Sequence, residues 1–118
     1  MEGSFIEEKV NISRCECDRI LRSYREMNSI LRSSRSWGRN FGDDGFVDET
    51  AVQAQMYSIR SAILNIEDAK MRMFLYHYYI KGQTHKNCAK ILGISLRSVY
   101  RLKNQALDRI AIDLVNFT

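Results

Sequence analysis

The amino-acid sequence predicts an all-α fold, in which an N-terminal helical hairpin over residues 1–66 is followed by a compact helical bundle over residues 67–118. Three observations carry this expectation. Apolar residues recur every three or four positions rather than alternately, Ala, Leu, Met, Arg, Lys and Glu are abundant, and no proline interrupts the chain. With 118 residues and 45% hydrophobic content, there is material for one ordinary globular core but not for two full-sized domains.

Residues 1–11 read as a loosely packed lead-in. From Ser13 the helical signal is strong. Ile20, Tyr24, Met27 and Leu31 fall on one face, with Cys17, Leu21 and Ile30 beside them, and Asn11 or Ser13 is placed to cap the helix. Arg19, Arg22, Arg25 and Arg32 occupy much of the remaining surface, and Asp18 and Arg22 form an acid-to-base pair at helical spacing. Such a face has two uses, as a solvated surface or as an accessory contact to DNA phosphates.

The segment from Ser33 to Val47 breaks the pattern. Its serines and its Asp43-Asp44-Gly45 run predict a loop, with tight turns near Gly38 and Gly42-Asp43. Trp37, Phe41 and Phe46 lie within it, and three large aromatics serve either as anchors folded back on the helices or as a partner surface.

A second helix is expected after Asp48, a good N-cap followed by Glu49. Val52, Met56, Ile59, Ile63 and Ile66 give it an apolar stripe as long as the first. An antiparallel hairpin buries both stripes. Association of two chains is the competing use of the same spacing, which makes Val52, Met56, Ile59 and Ile63, together with the three aromatics, candidate homodimer residues.

The chain is expected to bend near Asn65–Asp68. A third helix carrying Met71, Phe74, Leu75, Tyr78 and Tyr79 then ends at Lys81-Gly82. Thr84 is placed to cap a short helix through Leu92, Gly93 to make a sharp turn, and Ser95 to cap a final helix from Leu96. Cys88, Ala89 and Leu92 face inwards on the short helix, and Val99, Leu102 and Ala106 on the final one. The small Ala89 permits a close crossing, and Ile94 plugs the turn. That spacing is a helix-turn-helix.

Charge agrees with that placement. Residues 1–69 carry nine basic and twelve acidic side chains, whereas residues 70–118 carry nine basic and two acidic ones. The second part alone has the electrostatic footprint of a nucleic-acid binder. On the final helix Arg97, Ser98, Arg101, Lys103 and Asn104 are left wholly or partly outside the core, and their guanidinium and amide groups match base-edge acceptors in the major groove of double-stranded DNA. Tyr100 either packs at the rim or touches a sugar-phosphate or a thymine methyl group.

The stretch "EDAKMRMFLYHYYIKGQTHKNCAKILGISLRSVYRLKNQALDRI" resembles the sigma-70 region-four DNA-binding domain of bacterial sigma factors, most closely at "GQTHKNCAKILGISLRSVYRLKNQAL". With its helical N-terminal half, the whole chain is similar to small phage and prophage transcriptional regulators of the ArpU and RinA-like kind. The resemblance implies a sequence-specific regulator of late phage genes, with a helix capped by Ser95 entering the major groove, Arg97, Ser98 and Arg101 facing bases, Lys103 and Asn104 reaching phosphates or the groove edge, and Thr84, His85, Lys86 and Lys90 of the preceding helix crossing the DNA backbone. It also implies two alternatives: a small terminase-like packaging protein and a sigma-like partner of RNA polymerase. One position departs from the region-four pattern. The acidic residue usual before the small core alanine is absent from Asn87-Cys88-Ala89, which weakens any transfer of polymerase contacts.

Other classes find little support. The sequence has no HExxH, phosphate-cradling glycine loop or GxSxG elbow, so no enzyme activity and no cofactor are expected. Cys15, Cys17, Cys88, His77 and His85 do not complete a zinc-ligand pattern, so no metal is expected, and Cys88 is needed for packing. Nothing approaches the roughly 18 consecutive apolar residues of a membrane span, the N-terminus lacks a secretion signal, and the cytoplasm is the expected location.

Overall fold

The computed structural model describes residues 12–41 and 49–115, and the side chains of residues 34–41 lie outside that description. Among the described residues every element is helical. Ser13 opens the first helix, α1 (Arg14–Phe41), where its hydroxyl accepts a hydrogen bond from the Glu16 amide at 3.1 Å.

The loop expected from Ser33 onwards is corrected. Helix α1 continues past Ser33 as far as Phe41 and carries Gly38 inside it. A lone glycine costs a helix only about 1 kcal/mol, and without proline nothing removes a backbone donor. Trp37 and Phe41 thus sit on helical backbone, and their side chains, like the Gly42-Asp43 turn, Phe46 and the Asp48 cap, lie outside the described residues.

Helix α2 (Glu49–Leu64) has Glu49 in its first turn and buries Ile59, Ala62 and Ile63. The chain bends where expected. Asp68 accepts from the Met71 amide at 3.0 Å and caps α3 (Ala69–Leu75), while the Arg72 guanidinium donates to the Ile66 carbonyl at 2.7 Å. Beyond Leu75 the helix widens into a π-helical turn (Tyr76–Ile80), in which the Lys81 amide donates to the Tyr76 carbonyl five residues back. Gly82, at φ +73°, ends it.

Helices α4 (His85–Leu92) and α5 (Leu96–Leu114) complete the fold. Helix α1 packs against α2, α5 and the π-helical turn, and α3 packs against α5. Their buried faces meet in one cluster that joins Cys17, Leu21 and Tyr24 of α1 to Ile59 and Ile63 of α2, Phe74 of α3 and Val99, Leu107 and Ile110 of α5. The N-terminal helices therefore share their core with the last helix.

Candidate nucleic-acid interface

The start of α4 is set by Thr84, whose hydroxyl accepts from the Asn87 amide at 3.1 Å. Its end is set by Gly93 in the left-handed region at φ +68°, with the Ile94 amide donating to the Ala89 carbonyl at 3.0 Å. Ser95 then caps α5, accepting from the Ser98 amide at 3.1 Å. Cys88, Ala89, Val99, Leu102 and Ala106 are buried, with Leu92 and Ile94 packed against the cluster. The turn chemistry read from the sequence is thus the turn chemistry of the structure.

With those residues inside, Arg97, Arg101 and Asn104 share an exposed face of α5. Lys86 and Lys90 are exposed on α4. Ser98 is half-buried, and its hydroxyl accepts from the Ser95 hydroxyl at 3.0 Å. Thr84 is exposed, but its side-chain oxygen is engaged as the cap. None of the arginines or lysines at positions 86, 90, 97 and 101 has an acidic partner among the described residues.

Lys103 and His85 are placed differently from the rest of the expected backbone set. Only 18% of the Lys103 side chain is exposed, and its ammonium lies 3.4 Å from His85 Nε2, 3.9 Å from an Asp18 carboxylate oxygen and 5.0 Å from the Tyr78 ring centre. His85 is half-buried between two tyrosines, with ring-centre separations of 4.5 Å to Tyr78 and 4.6 Å to Tyr100. Both therefore join α1, the π-helical turn, α4 and α5, besides standing in the expected backbone set. The sequence pattern put Lys103 on the outside because it could not show that α1 lies across that face.

Asp18 is the centre of this arrangement. It accepts from the Tyr79 phenol and, at 2.7 Å, from Arg22 Nε. Burial alone raises its carboxyl pKa, but the hydrogen bonds from Tyr79 and Arg22 and the charges of Arg22 and Lys103 outweigh this and leave it lowered. Burial, reinforced by the hydrogen bond to Asp18, raises the Tyr79 phenol. His85 is lowered, first by burial and then by the positive charges of Lys103 and Arg22. Only the Asp18–Arg22 spacing had hinted at this group in the sequence.

The candidate interface residues of the N-terminal half divide. Ile59 and Ile63 are fully buried within the chain, and Val52 and Met56 are partly buried against its core. Ile59 and Ile63 are therefore committed to the core of the single chain. Cys17 and Cys88 are buried free thiols whose pKa burial raises, Cys17 to about 11. Among the described residues no cluster of His, Cys, Asp and Glu is arranged to hold a metal, and no helix is long and apolar enough to cross a membrane. Comparisons with protein-family models, curated proteins and solved structures found no match to this chain.

Proposed function

We propose that this chain is a sequence-specific DNA-binding transcriptional regulator in which α4, the Gly93 turn and α5 act as a helix-turn-helix of the sigma region-four kind, backed by the α1–α2 helical hairpin. One observation carries the reading. The Ser95-capped helix buries Val99, Leu102 and Ala106 while Arg97 and Arg101 stand exposed on it without acidic partners. The helix that closes the core therefore also offers two guanidinium forks to the major groove.

In this reading Arg97 and Arg101 read bases, with Ser98 at the groove edge. Lys86, Lys90, Asn104 and the Thr84-capped end of α4 meet phosphates. Late genes of a phage or prophage are the expected targets on the strength of the resemblance. One reading helix covers few base pairs, so selectivity calls for a second copy on the DNA or for RNA polymerase alongside.

Selection of genomic fragments on the immobilised full chain, followed by sequencing, tests the proposal. Recovery of a promoter-proximal sequence supports a regulator. Uniform recovery shifts the reading to packaging, and recovery of nothing overturns DNA binding altogether.

A further inference from the structure

A second cationic surface lies away from the reading helix. A cleft between α1 and the start of α4 is lined by Arg22, Arg25, Tyr78, Gln83, Thr84 and His85, and none of its lining residues is acidic. Arg22 is partly committed to Asp18. Arg25 is exposed and has no acidic partner among the described residues.

The Arg25 guanidinium lies over Gly82, so closely that a Cβ at that position would stand 2.9 Å from Cζ and 3.0 Å from Nη2. Glycine at 82 thus serves both the positive φ of the turn and the seat of the guanidinium. An arginine without an acidic partner offers its planar fork to an anion with no ion pair to break first. On its other side a neighbouring hollow adds Arg32 and Lys81, against Glu26.

The cleft is continuous with the reading helix. Tyr78 and His85 line it, and the His85 ring centre lies 4.6 Å from that of Tyr100, which is exposed on α5 beside Arg97. We propose that Arg25, with Arg22 beside it, receives a backbone phosphate of the same duplex at this cleft, so that the N-terminal helix forms part of the DNA-binding surface. This rests on the DNA-binding reading above and assigns to α1 a contact outside the helix-turn-helix.

The test is a salt titration of the full chain on a mixed-sequence duplex of about three helical turns, long enough to pass both surfaces. Arg25→Ala should weaken binding several-fold and flatten the log–log salt dependence by about 0.9, the value for one phosphate contact. Arg25→Lys should retain most of the slope, and Arg60→Ala, an exposed cation on α2, should retain all of it. Circular dichroism verifies that each variant is folded. A wild-type chain that does not bind overturns the DNA reading itself. If the wild type binds but Arg25→Ala keeps its slope, or if Arg60→Ala loses as much, the α1 contact alone is overturned.

Discussion

The phenol of Tyr79 on the π-helical turn donates a hydrogen bond to the carboxylate of Asp18 on α1, joining positions 61 residues apart. Tyr79 is 1% exposed, so its ring already belongs to the core, and the hydroxyl adds a polar tie at its edge. Tyr79→Phe should keep the packing and cost about 1 to 3 kcal/mol, the range for a hydrogen bond to a charged group. Asp18→Ala should cost more, since it also leaves the Lys103 ammonium without its carboxylate. Urea unfolding of both variants measures the two losses, and equal stability of wild type and Tyr79→Phe would remove the tie from the account.

Acid should weaken the fold in two stages. The folded state lowers the pKa of His85, so the unfolded chain takes up that proton first. Stability is then full above about pH 6.5 and declines as the pH falls below it, until His85 protonates in the folded state too. Lys103, Arg22 and Asp18 are the charged groups acting on it, and Asp18 only partly offsets the two cations. The folded state also lowers the carboxyls of Asp18 and Asp108, which adds a second decline below about pH 3.9. Urea midpoints measured across this range should lose the first stage in His85→Gln and keep the second. Superimposable profiles for wild type and variant would contradict the assignment.

Substitutions on α5 should separate reading from support. Arg97→Ala or Arg101→Ala should cost roughly 1 to 3 kcal/mol on a selected site and much less on a scrambled one. Lys86→Ala and Lys90→Ala should weaken both duplexes alike and flatten the salt dependence. Lys103→Met should instead lower the unfolding midpoint while leaving the salt slope of the folded protein intact, because its ammonium is engaged with Asp18 and His85. Parallel titrations and melts decide the point, and a lost slope in Lys103→Met would return that residue to the phosphate set.

The two positive-φ glycines should respond unequally. An added Cβ at Gly93 meets nothing within 4 Å, so Gly93→Ala costs only the backbone term of about 1 to 2 kcal/mol. Gly82→Ala carries the same term and also displaces the Arg25 guanidinium. It should lower DNA affinity by less than Arg25→Ala, because the displaced guanidinium keeps its charge, whereas Gly93→Ala should act through stability alone. Thermal melts and duplex titrations of the pair compare the two effects, and identical behaviour would refute the distinction.

Ile59 is fully buried within the chain. Ile59→Asp should therefore unfold the protein by several kcal/mol, since a carboxylate there has no water and no partner. Light scattering across a tenfold range of concentration, with and without DNA, reports the mass separately. A folded variant of half the wild-type mass would show that Ile59 serves a dimer after all.

Local chemistry in the sequence was enough to specify most of the helices and the α4–α5 turn. Thr84, Gly93 and Ser95 act on backbone groups within four residues of themselves, and the buried and exposed positions of α5 follow from a period of 3.6 residues. For that reason the sequence by itself puts Arg97 and Arg101 on the surface. The same rules overestimated the break after Ser33, because serine and glycine weaken a helix without forbidding it.

What tertiary structure alone decided is which outward positions stay outward. Lys103 is on the exposed side of an isolated α5, yet α1 lies against that helix and brings Asp18 to within 3.9 Å of its ammonium. Arg25 is one of several arginines on α1 until Gly82, fifty-seven residues later, supplies its seat. The π-helical turn likewise owes its partners to distant elements, Tyr79 to Asp18 and Tyr78 to His85. Helical periodicity records how a residue is oriented about its own axis, whereas these roles depend on which other axis lies alongside, and that is settled only when all the apolar faces are buried together.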